Sequence, residues 1–302
     1  MIEKFIEYLK YEKNFSKHTL TSYRNDLEQF AAYLQHAYED EKPEKAESFM
    51  VRSWLAELME EKVSARSVVR KASTLRTYYR YLMREGAIKT TPMAKVNTPK
   101  IPSRLPVFVS PKDMNTLFTR IPFTDDFNGV RNRLILEMFY STGIRLSELM
   151  TLKDTDTDTA GRTIKVFGKR SKERIIPIPD TLKDSIEAYR HLKSKITILT
   201  ARPGGQNLKL NETFFITDKG NPLYEKQVYL IVKKYLGEVT TLQKKSPHVL
   251  RHTFATHILD NGADINAVKE VLGHANLSAT QVYTHNTLEK LKRVYKQSHP
   301  RG

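Results

Sequence analysis

The chain contains no cysteine. Disulfides, thiolate zinc sites, iron–sulfur clusters and a cysteine nucleophile are excluded together, so any metal would have to rely on histidine and carboxylates. Acid is in short supply as well: 34 Asp and Glu stand against 50 Lys and Arg, a net charge of +16, which points to a polyanionic partner. No run approaches the roughly 18 apolar residues of a membrane span. Met1-Ile2-Glu3-Lys4 opens an amphipathic pattern where a secretory leader would open a basic and then an apolar block. A cytoplasmic protein with no membrane partner is expected. The Gly-rich phosphate loops of nucleotide hydrolases are also missing.

What the chain does have is unevenly placed. Residues 1–100 carry 18 basic and 14 acidic side chains, whereas residues 101–302 carry 32 and 20, so most of the positive excess lies in the second part. Apolar residues at helical spacing predict four helices in residues 1–90, the second capped by Ser16 and the fourth running from Ser64 to Arg84 before Gly86. Arg66, Arg70 and Ser73 share one face of that fourth helix, and with the adjacent Lys71 they form a candidate phosphate-facing surface. Between Thr91 and Pro111 stand five prolines, with Lys95, Lys100 and Arg104 among them. This density predicts a stiff basic connector over 91–110. Residues 111–302 read as a second domain, mostly helical, with a hairpin at 162–178 and a further strand at 212–217.

Five of nine histidines lie between positions 248 and 285. In Ser246-Pro247-His248-Val249-Leu250-Arg251-His252, the proline suits a first helical turn, and His248, Arg251 and His252 then project together. An arginine beside those histidines, with no accompanying carboxylate, argues against a metal site. Asp154, Asp156 and Asp158 mimic a calcium loop, but Thr159 and Lys165 stand where glycine and a bidentate glutamate are required. No metal and no cofactor is implied. Arginine forks can instead answer the charge that develops on a phosphodiester under attack, while a tyrosine oxygen serves as nucleophile and histidine and lysine move protons.

These residues resemble those of the tyrosine recombinases, and within them the bacterial Xer site-specific recombinases, along almost the whole chain. Ser-Thr-Gly-Ile-Arg-Leu-Ser-Glu-Leu (141–149) looks like the motif of the first catalytic arginine, here Arg145, with Glu148 as its supporting acid. His248 and Arg251 match a His-x-x-Arg signature, and His274 in Leu-Gly-His matches a third-motif histidine. Tyr283, nine residues later, falls at the nucleophile position, and Lys169 falls at the hairpin lysine. The hairpin reads Gly168-Lys169-Arg170 where many relatives have Gly-Lys-Gly, so Lys172 stays open as the general acid.

The resemblance implies a mainly α fold with a small antiparallel β-sheet: a four-helix SAM-like core-binding domain at 1–90 and an α+β catalytic domain at 111–302, closing on DNA as a clamp. It implies cleavage and rejoining of double-stranded recombination sites through a 3′-phosphotyrosyl intermediate in a synaptic tetramer. A C-terminal helix around Leu288, Leu291 and Tyr295 would be exchanged between protomers. A cytoplasmic, nucleoid-associated location is expected, while a paralogous partner recombinase and the choice between chromosome dimer resolution and mobile-element movement stay open. Two other readings share these features: a catalytically silent DNA-binding protein of recombinase descent, and a type IB-like relaxing topoisomerase.

Overall fold

The computed structural model describes residues 1–39, 41–101, 107–168, 173–200, 213–273 and 298. The chain divides into two compact units, Met1–Arg104 and Leu105–Gly302, each with its own apolar core.

The first unit is built from α1 (Ile2–Tyr11), α2 (Lys17–Ala37), α3 (Ser48–Glu60) and α4 (Ala65–Arg84). Ser16 and Ser64 cap α2 and α4 as their sequence positions predict, each accepting from the backbone N–H three residues on. Phe5, Leu27, Phe30, Trp54, Leu75 and Tyr78 close the core between the four helices. The expected connector begins later than its first proline. Residues 92–95 form a single 3₁₀ turn whose Met93, followed by Val96, is buried in this core. Ser48 Oγ donates to the Pro92 carbonyl at 2.6 Å and Arg76 to that of Val96 at 3.3 Å.

The second unit opens with α5 (Pro111–Thr119), α6 (Phe127–Thr142) and α7 (Leu146–Thr151). Strands β1 (Thr157–Asp158), β2 (Thr163–Phe167) and β3 (Glu173–Pro177) then form an antiparallel sheet in the order β1-β2-β3. Helices α8 (Asp180–Thr200), α9 (Glu225–Val239), α10 (Pro247–Asp260) and α11 (Ile265–Leu272) complete it. α6 is buried nearly all round, which fits its apolar run and its place at the centre of the core. Val109, at the end of the connector, is buried in this core and donates its N–H to Thr253 Oγ1 on α10 at 3.0 Å. Among the described residues no helix is long and apolar enough to cross a membrane.

Two local readings of the sequence change. The strand expected at 212–217 is replaced by isolated bridges, Lys153 with Thr213 and Ile216 with Pro222; residue 212 lies outside the described residues. Side chains of α8 take the place of a neighbouring strand: Lys193 donates to the Thr213 carbonyl, and the Tyr189 hydroxyl donates to the Phe214 carbonyl and accepts from Ile216 N–H. The three aspartates of the rejected calcium loop serve a turn. Asp154 pairs with Lys193, Asp156 accepts from Lys153 N–H, and Asp158 accepts from Gly161 N–H.

Candidate active site

Two helix ends and one strand bring three arginines together. α6 stops at Gly143 and α11 at Gly273, both in the left-handed region, with φ of +59° and +64°. Glycine is favoured at both, because the backbone is one that L side chains avoid. At Gly143 there is also no room, since a Cβ would meet the Phe254 ring at 2.5 Å, whereas at Gly273 the fit is only tight, 3.1 Å from Arg174 Nη1 and 3.4 Å from Arg145 Nη1.

The last carbonyls of a helix have no partner within it, and they carry the negative end of its dipole. In α11, three consecutive ones are taken by three different arginines. Val271 accepts from Arg174 Nε at 2.6 Å, Leu272 from Arg251 Nη2 at 2.6 Å, and Gly273 from Arg145 Nη2 at 2.9 Å. Arg251 also donates Nη1 to the Gly143 carbonyl at the end of α6. Glu148, in the first turn of α7, lies against Arg145. Its Oε1 accepts from Arg145 Nη1 and Arg174 Nη1, both at 2.7 Å, and its Oε2 accepts from Arg145 N–H and Arg174 Nη2, both at 2.8 Å.

Burial and charge set the behaviour of this group. Glu148 is only 4% exposed. Burial pushes its carboxyl up, but a hydrogen bond and charge from Arg174, together with hydrogen bonds from the Arg145 backbone and side chain, outweigh it and hold the group down at about 2. Burial, with the neighbouring Arg145 and Arg174, lowers Arg251 to about 9, so it stays protonated at neutral pH. Three guanidiniums against one carboxylate leave two positive charges. The remaining acceptors are uncharged carbonyls, which orient the forks without neutralising them. Among the described residues, Arg145 and Arg251 each use two of their five donors in this way. Such an arrangement is suited to a tetrahedral anion presented to it.

The sequence-predicted residues distribute as follows. Arg145, Glu148 and Arg251 are brought together, and His248 is exposed on the same helix as Arg251, one turn earlier. His257 is buried, with Nδ1 3.0 Å from the Tyr140 hydroxyl. Lys169, Lys172, His274, Tyr283, Arg104 and the C-terminal helix expected around Leu288, Leu291 and Tyr295 lie outside the described residues. Of the expected phosphate-facing cations, Arg66, Arg70, Lys95 and Lys100 are exposed. Lys71 is corrected: it is buried, its ammonium donating to Asp26 at 3.1 Å and to Gln29. It lies on the apolar stripe of α4 beside Val68, Ala72 and Leu75, where no phosphate can reach it. Arg174 is the residue that sequence reasoning missed. β3 buries Arg174 and Ile176 alternately, so an arginine on the inward register of a strand was the available signal.

Residues 108–290 match the phage integrase family, and residues 2–86 match the N-terminal SAM-like domain of phage integrases. The chain belongs to this family, the tyrosine recombinases, and is an enzyme that cleaves and rejoins DNA in site-specific recombination. It is 41% identical to tyrosine recombinase XerC of Thermodesulfovibrio yellowstonii, over 99% of this chain and 96% of that protein. It is 38% identical to tyrosine recombinase XerC of Listeria innocua, over 99% and 97%. Among solved structures, the XerH site-specific recombinase bound to a palindromic difH substrate, in a post-cleavage complex, shares the fold. Its TM-score is 0.68 at 20% identity, over 97% of this chain and 83% of that one. These relatives favour neither the silent DNA-binding reading nor the relaxing topoisomerase.

Proposed function

We propose that Arg145 and Arg251 bind the scissile phosphate of a duplex recombination site and that Tyr283 attacks it. The Tyr283 Oη–P bond forms as the bond from phosphorus to the 5′-oxygen breaks, leaving a 3′-phosphotyrosyl end. Lys169, or Lys172 three residues on, protonates the departing 5′-oxygen, while His248 and His274 bind the phosphate oxygens and help remove the tyrosine proton. Attack by a 5′-hydroxyl of the partner duplex reverses the step and completes the exchange. Arg66, Arg70, Lys95, Lys100 and Arg104 hold the flanking backbone. Four protomers assemble at two sites, joined through the C-terminal helix. The names of the relatives support a Xer-type role, which we place on the chromosome in the cytoplasm.

The observation that carries this reading is the pair of uncompensated positive charges fixed by two helix ends. The test is a nicked duplex carrying a site that the protein itself selects from a random-sequence pool. A covalent protein–DNA adduct that survives detergent is expected in the presence of a chelator, and it is expected to vanish in Tyr283→Phe. An adduct that persists in that variant removes Tyr283 from its role.

A further inference from the structure

Arg174 is 4% exposed, and three of its five donors end on Glu148 and the Val271 carbonyl. It therefore sits behind Arg145, away from any substrate. Each Glu148 oxygen accepts one hydrogen bond from Arg145 and one from Arg174. Arg174 also holds α11 two residues before the Gly273 carbonyl that receives Arg145. Both supports of Arg145, the carboxylate and the helix end, are thus fastened to this one buried side chain.

The electrostatic consequence follows from counting charges. A lone Glu148 beside Arg145 would make a closed one-to-one pair, cancelling the charge that a phosphate requires. Arg174 balances Glu148 instead, through a bidentate pair deep in the domain. We infer that Arg174 is a positioning residue for strand cleavage. It fixes Glu148 and neutralises it, so that Glu148 orients Arg145 without cancelling its positive charge. This inference rests on the reading of Arg145 as a phosphate-binding group.

The experiment compares full-length Arg174→Met, Arg174→Lys, Arg174→Met with Glu148→Gln, and Arg145→Ala on the nicked selected duplex. It reads the single-turnover rate of adduct formation at saturating protein, DNA binding by mobility shift, and folding by circular dichroism. Arg174→Met is expected to slow adduct formation by roughly tenfold or more and to leave DNA binding within about twofold, since most affinity comes from backbone contacts elsewhere. Adding Glu148→Gln is expected to restore part of the rate, because the amide has no charge with which to cancel Arg145. Arg174→Lys, which keeps the charge but not the fork, is expected to fall between wild type and Arg174→Met. If Arg174→Met does not fold, Arg174→Lys and the double variant carry the test. A wild-type rate in either single variant, or a double variant no faster than Arg174→Met, overturns the inference. If Arg174→Met is unfolded, a wild-type rate in Arg174→Lys still overturns the inference, and so does a folded double variant that binds DNA but forms no adduct. Arg145→Ala separates the two readings. A normal rate there removes Arg145 from the phosphate, whereas a slow Arg145→Ala beside normal Arg174 variants removes only the role of Arg174.

Discussion

Asp26 in the first unit and Glu148 in the second are both buried carboxylates, and each holds two cationic side chains. Around Asp26, Arg70 and Lys71 reach across from α4 to α2, and Thr74 Oγ1 adds a third donor at 2.8 Å. The acceptors there are side chains: the Asp26 carboxylate, the Gln29 amide and the Ser22 hydroxyl. This arrangement ties two helices together and hides one cation altogether. Around Glu148 the same motif is extended by backbone carbonyls at the ends of α6 and α11. A carboxylate pins a cation and neutralises it, whereas a helix-end carbonyl pins it and leaves its charge in place. The first unit uses its buried acid as a fastener, and the second also uses its acid to prepare a charged surface.

Three substitutions probe that contrast, in decreasing order of expected effect. Glu148→Gln breaks a buried network, leaves Arg174 short of its partner, and is expected to destabilise the second unit by about 3–5 kcal/mol. The same substitution tests the sign of the pH dependence. Glu148 is held at about 2 when folded, against roughly 4.3 in an unfolded chain. Its contribution is therefore fully present above about pH 5 and is lost as pH falls towards 2, a span worth about 3 kcal/mol. Melting curves across acid pH should show that slope in the wild type and a flatter one in Glu148→Gln. Equal slopes would show that the carboxylate is not held by the arginines.

Asp26→Asn is expected to cost less, about 2–3 kcal/mol, because the Arg70 side chain is about half exposed and can turn to water. Denaturant unfolding should register the loss, while adduct formation per folded molecule stays unchanged. A chemical defect in Asp26→Asn as deep as that of an active-site arginine variant would end the distinction between the two carboxylates. Gly273→Ala is expected to have the smallest effect on folding, about 1–2 kcal/mol for a left-handed backbone. Its Cβ presses on Arg174 and Arg145 at 3.1 and 3.4 Å, so its adduct rate should fall further than its melting temperature implies. A rate that simply follows stability would show that the two forks tolerate displacement.

Much of this was legible in the chain, and the exceptions have physical causes. Helix starts at Ser16 and Ser64 were readable because capping is local. Arg145, Glu148 and Arg251 were readable because an ordered set of motifs names them. That the carbonyls of residues 143 and 271–273 hold the arginines could not be read, because it depends on how α6, α10, α11 and β3 meet. Lys71 was misplaced for a different reason: its charge was weighted above its position, although Val68, Ala72 and Leu75 mark that side of α4 as buried. Arg174 is the converse case, an inward strand position whose charge should have raised the question of a partner. The strand expected at 212–217 was misread because, at Thr213 to Ile216, side chains of α8 supply what a neighbouring strand would.

α11 has eight residues, shorter than the roughly 12–15 at which an isolated helix begins to hold in water. It persists through its packed face and through the three guanidiniums that cap its last carbonyls. Those guanidiniums are in turn held in place by the helix. The dependence runs both ways, so fraying of α11 would take one support from Arg145, Arg174 and Arg251 at once, leaving Glu148 to hold the first two and the Gly143 carbonyl to hold the third. Competence at this centre is therefore coupled to the order of one short helix, whose loss would loosen all three forks together.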